Sequence, residues 1–153
     1  MGLDQYLKVA KYISGTMFDT EDDQKLYKKI TKATNVKPDT NCQYVVVEYN
    51  VAYWRKANAI HAWFVKNVQN GQDNCQKTYV SREQLQKLVD DCAAVLSGQK
   101  FADDTLPTQS GFFFGSTEYD EYYKRDLQYT VDKLTEILHD DSVVGSFYYQ
   151  ASW

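Results

Sequence analysis

Hydrophobic and polar positions change period several times along the 153 residues, and each change predicts an element. Residues 3–13 carry Leu3, Tyr6, Leu7, Val9, Ala10, Tyr12 and Ile13, with alternation in the latter half, and predict an N-terminal strand. An acidic turn at 19–23 leads into a short polar helix over 21–33, with Leu26, Tyr27 and Ile30 on one side. Pro38 and its polar neighbours make 35–41 a loop. Residues 43–51, rich in Val and Tyr, form the clearest predicted strand. Tyr53, Ala57, Ile60, Phe64 and Val68 then fall at i, i+4, i+7, i+11 and i+15, which predicts a helix over 53–68 ended by Asn70-Gly71.

The second half follows the same logic. Residues 78–80 are a brief extended entry. Ser81 and Gln84 match a capping box, so a helix is expected from Arg82 to about Leu96, with Leu85, Leu88, Val89, Cys92 and Leu96 as its buried stripe. Residues 101–115 read as a loop containing Pro107. Ser116 or Thr117 is the expected cap of a long helix reaching about His139, with a stripe through Tyr119, Tyr123, Leu127, Leu134 and Leu138. Residues 147–153 are an aromatic C-terminal strand. Roughly three strands and four helices, interspersed and without repeat or linker, predict one α+β domain over residues 1–153, with helices packed on a small mixed or antiparallel sheet.

Composition narrows the function classes. Hydrophobic residues make up 43% and charged residues 25%, which argues against disorder. The net charge of −4 supplies no basic field for duplex nucleic acid. No segment suits a membrane span or a signal core. Cys42, Cys75 and Cys92 form no CxxC pair, so neither a disulfide framework nor a zinc site is indicated, and a reducing, cytoplasmic compartment is expected. The 13 tyrosines suit half-buried walls, where a ring packs and its hydroxyl stays polar.

Three segments carry candidate chemistry. In Trp54-Arg55-Lys56-Ala57-Asn58-Ala59-Ile60-His61, a helix would set Trp54, Asn58, His61 and Val65 on one side. Either Asn58 and His61 are satisfied groups tying helix to sheet, or the segment is a pocket wall. In the second case Trp54 stacks on a base, Asn58 reads an edge, and Arg55 or Lys56 meets phosphate. The second segment, Thr108 to Glu118, sets three phenylalanines between two glycines ahead of a helix start. There Gln109, Ser110, Ser116 and Thr117 either cap and close a loop or hold an anion, although no P-loop pattern exists. The third, Glu118 to Asp126, is a solvated face or a pocket rim, with Tyr122 on the wetter side and with either Glu118 and Tyr122 or Glu121 and Arg125 expected to pair. His61 and His139 are the only histidines, and no hydrolase or metal-ligand spacing is present, so neither cofactor nor metal is expected. A Cys75 or Cys92 nucleophile beside His61 is the remaining catalytic arrangement.

Residues 1–7, 54–64, 79–83, 109–123 and 147–153 carry a resemblance. Through them, and above all through Gln-Ser-Gly-Phe-Phe-Phe-Gly-Ser-Thr-Glu-Tyr-Asp at 109–120, the chain resembles a family of small bacteriophage proteins with no settled activity. The resemblance implies no catalytic residues. It implies a setting inside an infected cell, where such proteins bind a host protein or sequester a small signalling molecule of host defence.

Three functions are compatible with these residues. The first is capture of a nucleotide-like ligand by Trp54, Arg55, Lys56, Asn58, His61, Gln109, Ser110, Ser116, Thr117 and Tyr122. The second is inhibition of a host protein through the acidic, tyrosine-rich surface of Asp120, Glu121 and Tyr122. The third is a small nucleotide-processing enzyme using His61. A homo-oligomer is also expected if the aromatic C-terminal strand lies at a sheet edge.

Overall fold

The computed structural model describes residues 2–153; Met1 lies outside them. Its strands are β1 (Asp4–Ser14), β2 (Tyr44–Arg55), β3 (Thr78–Val80) and β4 (Ser146–Ser152). Its helices are α1 (Glu21–Thr34), α2 (Asn58–Asn67), α3 (Arg82–Leu96), the single turn α4 (Ala102–Thr105) and α5 (Glu121–His139). The strands form one antiparallel sheet in the order β2-β1-β4-β3, an α+β arrangement. Thr78, Tyr79 and Val80 stand opposite Tyr149, Tyr148 and Phe147.

The chain divides into two units. The larger comprises the chain up to Val9 together with residues 50–153. Alternation decides its inner sheet face: Gln5, Leu7 and Val9 of β1, Ala52 and Trp54 of β2, and Phe147, Tyr149 and Ala151 of β4 are all buried. The apolar ones join Ile60 and Phe64 of α2, Leu85, Leu88 and Cys92 of α3, and Leu127 and Leu134 of α5 in one core. Each of those large side chains contributes about 1.5–3 kcal/mol by leaving water. The Phe64 and Tyr149 rings stack at its centre, 3.9 Å apart.

The smaller unit spans residues 10–49 and holds α1 between the adjoining parts of β1 and β2. Thr20 caps α1 by accepting from the Asp23 amide, and Asn35 ends it in the left-handed region. The Tyr27 ring lies on Gly15, where any side chain would collide with it.

Several expectations change. β2 continues to Arg55, and α2 begins only at Asn58, because Ala52 and Trp54 keep the strand alternation and point into the core. The capping box of α3 forms as expected, with Ser81 accepting from the Gln84 amide and Gln84 from the Ser81 amide. The cap of α5 is Asp120, not Ser116 or Thr117: its carboxylate accepts from the Tyr122 and Tyr123 amides. Glu121 pairs with Lys124 at 2.7 Å, while Arg125 lies over the Tyr122 ring. β4 lies between β1 and β3, and β3 stands against residues 147–149, so that part of the aromatic C-terminal strand is not a free edge. No helix of the described residues is long and apolar enough to cross a membrane.

Candidate functional site

The junction between β2 and α2 is built by backbone strain. Lys56 follows the last strand residue and takes φ 60°, a left-handed conformation costing about 1–2 kcal/mol for a residue with a Cβ. Its amide donates to the Leu3 carbonyl at 2.7 Å, which fixes the turn against the start of the chain. Gly115 packs against this turn. A Cβ there would lie 3.1 Å from the Lys56 Cβ, and its φ of 87° also favours glycine. Ala57, the cap position of α2, offers no side-chain hydrogen bond to the first turn.

Asn58 then ties two distant segments together. Its Nδ2 donates to the carbonyls of Phe114 (3.0 Å) and Ser116 (2.8 Å), and its Oδ1 accepts from the Gln109 amide (2.9 Å). Thr108 closes the loop by donating to the Thr117 carbonyl, and the Leu3 amide donates to the Phe113 carbonyl. Leu3, the Lys56–Asn58 turn and residues 108–117 thus meet in one place, although 51 positions separate Asn58 from Gln109.

A cavity of about 270 Å³ opens at this junction. Of the ten residues expected to bind a ligand, Arg55, Lys56, Asn58, Ser116 and Tyr122 line it. Arg55 makes one long ion pair, to Asp4 at 3.6 Å, and Lys56 has no charged partner among the described residues. Asn58 is only 4% exposed, and both ends of its amide are engaged, so it holds the wall rather than reading a ligand edge.

The other five are not brought to the cavity. Trp54 is buried, with its indole donating to Thr130 Oγ1 at 2.9 Å and its ring edge-on to Phe64 and Tyr129, so it cannot stack on a base. His61 is fully buried, with both ring nitrogens taken by Tyr149 and Asp73. Gln109 contributes its backbone amide, and Ser110 and Thr117 are exposed outside the lining. The expected anion seat at the start of α5 is filled by the carboxylate of Asp120. Cys92 is fully buried, and burial pushes its thiol well above the ordinary range, which removes it as a nucleophile.

The sequence left residues 118–126 as a solvated face or a pocket rim and did not single out Asp126; in the structure Glu118, Asp120 and Asp126 line the same cavity as the two cations. Asp126 is raised to about 6, chiefly by burial and further by Asp120, against a lowering effect of Arg125. Its signal was its place on the helix pattern, four residues after Tyr122 and beside the Tyr123–Leu127 stripe. Among the described residues, no group of three or more His, Cys, Asp and Glu could hold a metal ion. No family model, no curated protein and no solved structure matches the chain.

Proposed function

We propose that the β2–α2 cavity captures a small nucleotide-like ligand and holds it without turnover. The observation that carries this reading is the convergence of Arg55, Lys56 and the first turn of α2, which no side chain caps, on one cavity. Two cations and an open helix start favour a phosphate. The lower end of ordinary ligand cavities is about 300 Å³, so a space of about 270 Å³ favours a mononucleotide over anything larger. Retention rather than chemistry is supported by His61, whose ring nitrogens are committed to the core, and by the buried Cys92 thiol. The likeness to small bacteriophage proteins supports an infected cell as the setting, with a signalling nucleotide of host defence as the natural cargo.

Isothermal titration with GMP, AMP, UMP and inorganic phosphate tests the reading. At least one mononucleotide should bind more tightly than phosphate alone. The paired substitution Arg55→Gln with Lys56→Gln should weaken it tenfold or more. Unchanged affinity in that variant would mean that the cations do not hold the ligand.

A further inference from the structure

We propose that Asp126 receives the hydrogen-bond-donor edge of the bound base, so that the cavity selects a guanine nucleotide. This rests on the nucleotide reading above and adds its specificity. Asp126 is half-buried in the cavity wall, and no described residue donates a hydrogen bond to its carboxylate. The donors around it are committed elsewhere. The Trp54 indole goes to Thr130, the Thr130 hydroxyl to the Asp126 carbonyl, the Tyr123 hydroxyl to the Leu106 carbonyl, and Arg125 lies over the Tyr122 ring. The two cations of the cavity are not its partners either: Arg55 pairs with Asp4, and Lys56 forms no ion pair among the described residues.

A carboxylate partly removed from water that receives no donor from the protein is held at some cost to the fold. Its raised affinity for a proton reports the same cost. Such a cost is tolerated where a ligand removes it. The ligand must then present its negative group to Arg55 and Lys56 and its donors to Asp126. A guanine base does this with two adjacent donors, N1–H and the 2-amino group, which match the two oxygens of one carboxylate. Adenine offers a donor beside an acceptor, and hypoxanthine lacks the amino group. Tyr122, 70% exposed and lining the same cavity, supplies a ring beside which a base can lie.

The test is titration of the unaltered protein and of Asp126→Asn with GMP, IMP, AMP and XMP. The unaltered protein should prefer GMP to IMP and AMP by tenfold or more. In Asp126→Asn one acceptor becomes a donor, so GMP should weaken at least tenfold, while XMP, whose 2-position is a carbonyl, should gain affinity. That gain cannot come from an unfolded variant. If GMP, IMP and AMP bind the unaltered protein within twofold of one another, the assignment of Asp126 is wrong and nucleotide capture still stands. If Asp126→Asn keeps the affinity for GMP, the assignment is likewise wrong. If none of the four binds the unaltered protein, the nucleotide reading falls and takes this inference with it.

Discussion

His61 and Asp73 face each other across 2.9 Å, Nε2 to Oδ2, with the imidazole fully buried and the carboxylate mostly so. The other ring nitrogen lies 2.7 Å from the Tyr149 hydroxyl. The same hydroxyl lies 3.1 Å from Gln5 Oε1, and the Gln5 Nε2 donates to the Ala57 carbonyl. The ring Nε2 donates to the Asp73 carboxylate, and the Tyr149 hydroxyl bridges Nδ1 and Gln5 Oε1. Replacing His61 by Leu should cost about 2–4 kcal/mol in chemical denaturation, because it strands both Asp73 and Tyr149. An unchanged midpoint would show that the network adds no stability.

Asn58 is the clasp of the cavity. Asn58→Ala removes three hydrogen bonds and leaves two carbonyls and one amide without their partner. A loss of about 2–4 kcal/mol is expected, together with faster amide exchange through residues 109–117. Exchange unchanged in that loop would show that other contacts hold it.

Asp126 gives stability a pH dependence of known sign. Its folded-state value of about 6 lies above its ordinary value of 3.8, so its contribution is fully present below about pH 4 and is lost as pH rises through 6. Asp126→Asn should therefore be more stable than the unaltered protein at pH 8, by about 1–2 kcal/mol. The difference should vanish near pH 4. Equal melting temperatures at pH 8 would mean that the charged carboxylate is satisfied.

Asp91 has the opposite sign. Burial alone would raise it, but hydrogen bonds from Lys87 (2.6 Å), the Trp63 indole (3.1 Å) and Lys100 (3.0 Å) together lower it below 3.8. Its contribution is present above about pH 4 and is lost as pH falls through the lowered value. Asp91→Asn should cost about 1–3 kcal/mol at pH 7, and the gap should close in acid. A gap that persists in strong acid would place the effect in packing rather than in charge.

The sequence by itself determined what depends on neighbours within a turn or two. The Ser81–Gln84 box and the stripe from Leu85 to Leu96 locate α3 to the residue, because a capping box and a helical stripe are made of contacts three and four positions apart. Alternation in Phe147, Tyr149 and Ala151 likewise exposes β4. The same local logic misled at 53–57. Tyr53 and Ala57 suit the helical spacing of Ile60, Phe64 and Val68, yet Ala52 and Trp54 are drawn into the sheet face, and the turn at Lys56 is held by Leu3, more than 50 positions away. Likewise Ser116 and Thr117 looked like caps, while Asp120, one turn on, has the carboxylate that reaches two amides.

Tertiary structure alone decided the site. It separated Arg55 and Lys56, which reach the cavity, from Trp54 and His61, which the core absorbs. It set Asn58 against Phe114 and Ser116 and brought Asp126 into the cavity that the cations line. The physical reason is that a side chain's role follows from which partners remain for it after packing. The indole of Trp54 and the imidazole of His61 find theirs inside the core, and Asp126 finds none among the described residues.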